Sequence, residues 1–293
     1  MSLPKLKYYV CGVCSTDDPK LLYPIKGFNI VQCKNCCFVY VNPRIANEDL
    51  YKLYSNDYFT STTENYGYRN YELTSLLRIK TFQKWISIVT PYLSKQKGDV
   101  LDIGCASGYF LEEMCKTGWN IEGIELDKKM LEKLKAKNIS VSDQPFEIFT
   151  TNKKYKLITL FDVIEHIPDL KTTFKKLNEL LDDDGIVVLI TPDFSSTQRK
   201  WFGKRWFQYK PQEHIHYFSP DTLKRSTEPH NLKIVYHTPG GQYADVGFIL
   251  DRLDRYNFTT LKKIAEFFFK IFGIRNKYWY LDTGSILAVL KKK

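Results

Sequence analysis

No stretch of this 293-residue chain approaches the roughly 18 consecutive apolar residues that a membrane-spanning helix requires. The opening Met1-Ser2-Leu3-Pro4-Lys5-Leu6-Lys7 is not followed by an apolar run, so no secretory leader is expected. Acidic residues are in deficit, 33 against 43 lysines and arginines, which leaves a net charge of +10. That balance favours anionic partners such as nucleic acid, a phosphorylated small molecule or an acidic membrane surface, and it also fits a merely solvated basic surface. Without a leader the expected location is the cytoplasm, where the seven cysteines read as thiols or metal ligands rather than disulfides. Aromatic residues are plentiful at 15%, spread along the chain as core and pocket material.

Four of the cysteines form two C-x-x-C pairs, Cys11/Cys14 and Cys33/Cys36, separated by 18 residues. Four thiolates so spaced suit tetrahedral zinc, each pair gripping the ion from a tight turn with a short hairpin between. No open coordination position is evident, so the zinc is expected to be structural and to hold a segment too small for its own core. Coincidental pairs and a redox pair are the weaker alternatives. Cys37 blurs the register, but C-x-x-C is the better spacing. This zinc-ribbon-like segment is assigned residues 1–45. Residues 46–97 follow as a helical cap, with apolar positions from Leu76 to Val89 close to one helix face. Within it Ser55 to Tyr71, rich in tyrosine, asparagine and threonine, resembles a loop able to close over a pocket.

From residue 98 to 293 strands alternate with helices. Strands are expected at 99–104, 120–127, 155–161, 185–192, 232–237 and 285–290, and helices at 109–116, 128–136 and 170–181. The alternation implies an α/β fold with a doubly wound parallel sheet and a ligand beyond the carboxyl ends of its strands. Insertions are expected at about 194–218 and, largely helical, at about 240–284.

The first strand runs through Asp102 into Gly104-Cys105-Ala106-Ser107-Gly108 and then a helix. Glycines let backbone approach a ligand, and the helix start favours negative charge. A dinucleotide fingerprint is absent, because Ala106 stands where its second glycine belongs. Asp102 would repel a pyrophosphate and suits a cation or ammonium group. Glu125, 21 residues after Gly104, can accept both hydroxyls of a ribose. A ribose at one end, a positive group at the other and no phosphate describe S-adenosylmethionine.

The stretches DVLDIGCASGYFLEEM, IEGIELD and LITLFDVIEHIPD resemble successive motifs of class I S-adenosylmethionine-dependent methyltransferases, with a Rossmann-like fold, over residues 98–193. The leading cysteine pairs and the later PQEHIHYFSPDTL resemble a subgroup with an amino-terminal zinc segment, several of whose members act on sugars or nucleotide-linked sugars. The resemblance implies that Asp102, Gly104 and Gly108 hold the methionine part, that Glu125 holds the ribose, and that Leu126 packs on the adenine. Phe161 and Asp162 would lie beneath the cofactor. Ala106 departs from the commoner glycine by one methyl group. Asp143 is the candidate for the adenine side.

Methyl transfer to a hydroxyl needs alignment and removal of a proton. Two Glu-His pairs qualify, Glu165-His166 and Glu213-His214. His166 is as readily a brace for its loop. The sugar-modifying resemblance favours Glu213-His214 as the acid/base pair with His214 as general base, against a substrate contact or a structural hydrogen bond. His216, if the segment is extended, faces the same side. The preceding Gln198 to Lys210 holds five basic residues, five aromatics and no acid. It can grip a phosphate while stacking on a base or sugar, contact nucleic acid, or form an apolar lid with a basic rim.

Thr260 to Phe272 is apolar most of the way around and punctuated by Lys262, Lys263 and Lys270. A homodimer contact through 255–280 is the first reading, ahead of packing within the monomer and contact with a membrane surface. The leading function is O-methylation of a small, anionic, sugar-containing metabolite, with C-methylation of a keto-sugar as a variant. RNA methylation is the second reading and a catalytically inactive binding protein the third.

Overall fold

Strict alternation along the strands gives the central sheet two buried faces. In the strand Leu181–Pro192, Val187 and Leu189 enter one core, while Ile186, Val188 and Ile190 enter the other. The computed structural model describes residues 5–54, 75–256, 258–274 and 277–293.

The amino-terminal part comprises β1 (Leu6–Lys7), β2 (Pro19–Ile25), β3 (Phe28–Cys33), β4 (Val39–Val41), β5 (Arg44–Ile45) and the helix α1 (Asn47–Tyr54). Helix α2 (Ser75–Val89) leads into the alternating region: β6 (Asp99–Ile103), α3 (Tyr109–Lys116), β7 (Asn120–Ile124), α4 (Lys128–Ala136), β8 (Ser140–Ser142), β9 (Tyr155–Phe161), α5 (Leu170–Leu180) and β10 (Leu181–Pro192). The remainder holds α6 (Thr197–Phe202), β11 (His216–Tyr217), α7 (Pro220–Thr227), β12 (Leu232–Asp245), α8 (Val246–Arg255), α9 (Thr259–Ile271) and β13 (Tyr278–Lys292). The seven-stranded sheet runs β12-β13-β10-β9-β6-β7-β8. Pairing is parallel from β10 through β8, and β13 is antiparallel to both its neighbours. This is the Rossmann-like α/β fold expected from the alternation.

The helical insertion is shorter than expected. Residues 240–245 and 278–284 continue β12 and β13 as a hairpin, pairing Gly241 with Asp282 and Asp245 with Tyr278. A Cβ on Gly241 would lie 2.5 Å from the Leu281 carbonyl oxygen. Glycine lets the strands close at the register shift there. Tyr243 and Tyr280 pair across the hairpin at 5.4 Å, and the Trp85 indole N–H donates to the Gly241 carbonyl at 2.8 Å. Helices α8 and α9 are what remains of the insertion. No residue of α9 is buried, and Leu261, Ile264, Phe267, Phe268, Ile271 and Phe272 form an exposed apolar stripe along it. Among the described residues no helix is long and apolar enough to cross a membrane. The 55–71 segment, read as a pocket-closing loop, lies outside the described residues.

Residues 1–45 do not make their sheet alone. The smaller sheet runs β11-β4-β3-β2, so its edge comes from residues 216–217. Its core combines Ile30, Val39 and Val41 with Trp206, Tyr209 and Tyr217 of the 194–218 insertion. Two aromatics of the basic stretch, Trp206 and Tyr209, are therefore core, 1% and 2% exposed, whereas Trp201 faces solvent. Trp206 sits edge-on to Tyr209 at 5.1 Å. Trp206→Ala is expected to cost about 3–5 kcal/mol in denaturant unfolding, because the packed surroundings close only partly over the void. A cost below about 1 kcal/mol would mean that this core is not built as described.

Candidate active site

A cavity of about 700 Å³ opens beyond the carboxyl ends of β6, β7 and β9. Its floor is the glycine turn after β6. Gly104 has φ +72° and would place a Cβ 2.5 Å from Val163 Cγ2; Gly108, φ +80°, would place one 2.7 Å from Leu134 Cδ2. Both positions require glycine, for conformation and for space. Ala106 also lies in the left-handed region, at φ +47°. Its N–H donates to Glu125 Oε2 at 2.7 Å, while Glu125 Oε1 accepts from the Leu126 and Asp127 N–H groups at 2.7 and 2.9 Å. One carboxylate thus fastens the turn after β6 to the turn after β7.

Asp102 is buried and accepts a 2.6 Å hydrogen bond from the Thr159 hydroxyl. Burial pushes its carboxyl up to about 7, against the pull of that hydroxyl. Burial raises Glu125 to about 7 as well, despite its three N–H donors. Both face the cavity, as do Gly104, Ala106 and Leu126. Phe161 packs between Trp85 and Phe110, each 5.0 Å away, and so joins α2 and α3 to the cavity wall. Asp162 follows at φ +55°, raised to about 6 by burial and drawn back by Lys210 and Arg78. The expected cofactor residues therefore converge, Gly108 supporting the turn from outside the lining. Asp143 does not join them: it is exposed, and Phe146 and Glu147 line the wall instead.

The second Glu-His region meets the first in the same cavity. His166 and His214 stand with ring centres 4.8 Å apart, edge to face. The His166 Nδ1–H donates to the Glu213 carbonyl at 3.0 Å and the His214 Nδ1–H to the Gln208 carbonyl at 3.0 Å. A carbonyl can only accept, so each neutral ring keeps its Nε2 lone pair. Burial holds His166 down at about 3 and His214 well below the ordinary imidazole range. Glu165 is fully buried, and its Oε2 accepts from the Thr191 hydroxyl at 2.9 Å. Glu213 presents its backbone to His166, and its buried carboxylate lies 3.9 Å from Lys210, outside the lining. The Glu213–His214 pair is thus not joined side chain to side chain by any of these bonds. His216 leaves the site altogether: as part of β11 it packs on Phe38 at 5.5 Å, because β4 takes that strand into the smaller sheet.

Arg78, Lys210 and Arg252 bring positive charge to the cavity wall, with Gln208 and Asp251 beside them. Arg78 and Arg252 escaped the sequence reading, since an arginine on an amphipathic helix carries no signal of which cleft it faces. Lys210 and Gln208 fall in the basic aromatic stretch that did stand out. Behind the seam that carries His216, Cys11 Sγ lies 3.5 Å from Cys36 Sγ, and Cys14 Sγ 3.5 Å from Cys33 Sγ. All four sulfurs lie within 4.8 Å of one another. Cys37 is exposed and takes no part.

A family model for a methyltransferase domain matches residues 77–237, more than half of the chain. A ubiquinone biosynthesis O-methyltransferase of Pelagibacter ubique is 33% identical over 98 residues, covering 31% of this chain and 41% of the relative. A tRNA U34 carboxymethyltransferase of Nautilia profundicola is 29% identical over 124 residues, covering 38% and 40%. The chain spans about four-tenths of the length of these curated relatives. An S-adenosylmethionine-dependent methyltransferase structure from Clostridium acetobutylicum aligns over 75% of this chain and 95% of that one, with a TM-score of 0.50 and 16% identity, a likeness of fold alone. With more than half its length matched, and the glycine turn, Glu125 and the β9 end brought to one cavity, this chain belongs to the methyltransferase-domain family.

Proposed function

We propose that the protein transfers a methyl group from S-adenosylmethionine to an oxygen of a small anionic acceptor, a sugar or a phosphorylated or nucleotide-linked glycan precursor. The observation that carries this reading is the pairing of buried Asp102 with Glu125 across a glycine turn that lacks the dinucleotide pattern. S-adenosylmethionine supplies a methyl group already activated on a sulfonium. Asp102 attracts the cationic amino-acid end, and Glu125 receives the ribose hydroxyls with its remaining lone pairs. Leu126 and Phe146 bound the adenine, and Phe161 and Asp162 support the cofactor from the β9 end.

The acceptor fits between the cofactor and the histidine pair. Arg78, Lys210 and Arg252 line the cavity, with Lys210 acting on Asp162, His166 and His214, which supports an anionic ligand, and their place inside a cavity supports a small one. Oxygen is favoured because the ubiquinone-pathway relatives are named as O-methyltransferases. C-methylation of a keto-sugar would draw on the same residues. The tRNA-modifying relative is the support for an RNA acceptor. His214, opposite His166, is the side chain on which acceptor activation turns.

His214→Ala is expected to lower turnover by about 10²–10⁴-fold while leaving cofactor affinity nearly unchanged. Nucleotide sugars screened with cofactor for a 14-dalton mass gain supply the assay. Absence of S-adenosylmethionine binding in calorimetry would overturn the methyltransferase reading and favour an inactive binding protein.

Cofactor binding is also expected to depend on pH. Asp102, at about 7 when free, ionises beside a cationic ligand, so binding below neutrality releases a proton. Affinity then climbs between about pH 5.5 and 7, by at most about tenfold per unit, and levels off above. Calorimetry in buffers of different ionisation enthalpy reads the proton directly; a flat affinity with no proton release contradicts the role given to Asp102.

Cys11, Cys14, Cys33 and Cys36 fit a structural zinc. A Zn–S length near 2.3 Å puts tetrahedral sulfurs about 3.8 Å apart, close to the separations found. Cys11, Cys33 and Cys36 belong to the core, so zinc there would staple the small sheet to the larger one. Elemental analysis is expected to return about one zinc per chain, and a metal-free protein with an unchanged melting temperature would contradict this.

A further inference from the structure

We propose that Glu165, His166 and His214 form a second metal site, one for a divalent first-row cation, at the acceptor end of the cavity. This rests on the reading that the acceptor docks there, and it specifies how the histidine pair would act: as ligands that hold a cation against the acceptor oxygen.

One ligand atom from each residue falls within a group spanning 4.8 Å, and all three residues are buried. Two imidazoles and one carboxylate with open positions left over is a recurring donor set for divalent iron and its neighbours. Both rings are already in the form a metal needs. Their Nδ1–H groups are held by the Glu213 and Gln208 carbonyls, which fixes the tautomer, sets the ring plane and leaves Nε2 as the donor. The carboxylate is likewise braced from behind, by Thr191 on Oε2.

The second, independent observation is the other oxygen. Glu165 Oε1 is buried without a hydrogen-bond partner, in a residue with no solvent exposure. A buried acceptor left unmatched costs about 1–3 kcal/mol, and more when charged, and a bound ion is one of the few explanations for such a group. Local charge agrees. Asp162, Glu165 and Glu213 bring three acidic groups, the last two fully buried, and Lys210 and Arg78 act on them as the nearby cations. With all five ionised the cluster is one negative charge in excess; a divalent ion turns that into one positive charge, suited to an anionic acceptor.

The two metal sites differ in softness and can be probed apart. Mn²⁺ stands lowest in affinity order among first-row divalent ions and prefers oxygen donors to thiolate, so it does not displace zinc from four thiolates. The test adds Mn²⁺ alone to the full-length, zinc-replete protein, with neither cofactor nor acceptor, and follows loss of the free-ion electron paramagnetic resonance signal. One Mn²⁺ per chain is expected, bound at least tenfold more weakly by Glu165→Gln and His214→Ala. Should either variant fail to fold, pulsed resonance on the wild-type protein decides: nitrogen couplings from coordinated imidazole are expected on the bound ion, and their absence overturns the proposal. Wild-type protein that takes up no Mn²⁺, or variants that bind as tightly as wild type, overturn it equally. Because no methyl transfer is involved, loss of S-adenosylmethionine binding would sink the methyltransferase reading without touching this one. Full turnover after exhaustive chelation, with no Mn²⁺ bound, would sink this one alone.

Discussion

A five-residue seam holds the molecule's two lobes and its candidate chemistry in register. The Ile215 N–H and the His216 N–H both donate to the Glu165 carbonyl, at 3.0 and 3.2 Å, while the Ile215 carbonyl accepts from Val41 N–H at 3.0 Å. His216 and Tyr217 then pair with Tyr40 and Val39. Residues 213–217 are thus bonded on one side to the loop after β9 and on the other to the cysteine-bearing sheet. His166 and His214 meet across this seam, and neither could keep its orientation if the backbone on either side slipped.

The cavity is a place where the fold accepts electrostatic cost. Asp102, Glu125, Asp162 and Glu165 are all raised by burial, and each is partly compensated from a different element: Thr159, the turn amides, Lys210 with Arg78, and Thr191. Acids and cations that would repel like partners elsewhere are interleaved here, and a ligand with positive charge at one end and negative at the other would complete the balance. Preorganised polar groups of this kind cost little reorganisation when the ligand arrives.

The part of this arrangement written locally was legible in the sequence. Strand-to-turn-to-helix at Asp102–Gly108 depends on residues adjacent in the chain, and helices α3 and α4 begin and end where the pattern places them. The convergence of the two Glu-His regions was half visible: the residues stood out, but the pairing of His166 with His214 is a tertiary fact. An extended segment would have put His214 and His216 on one face; the structure instead turns over residues 211–213, just ahead of His214, and surrenders His216 to the smaller sheet. The aromatics at 206 and 209 could serve a stacking surface, a nucleic-acid contact or an apolar lid, because nothing in the sequence said that β3 and β4 lacked a core without them. Arg78 and Arg252 were invisible for the same reason, since each reaches the cavity from a helix far away in sequence.

Glu125 holds Ala106 in a backbone conformation that residues with a side chain seldom adopt. Its carboxylate is therefore both a wall of the cavity and the latch of the turn opposite. An engineer who wished to change what this pocket accepts by altering Glu125 would deform the floor at the same stroke. The two properties have to be separated first, most simply by giving position 106 the freedom of glycine, so that the turn no longer needs its latch.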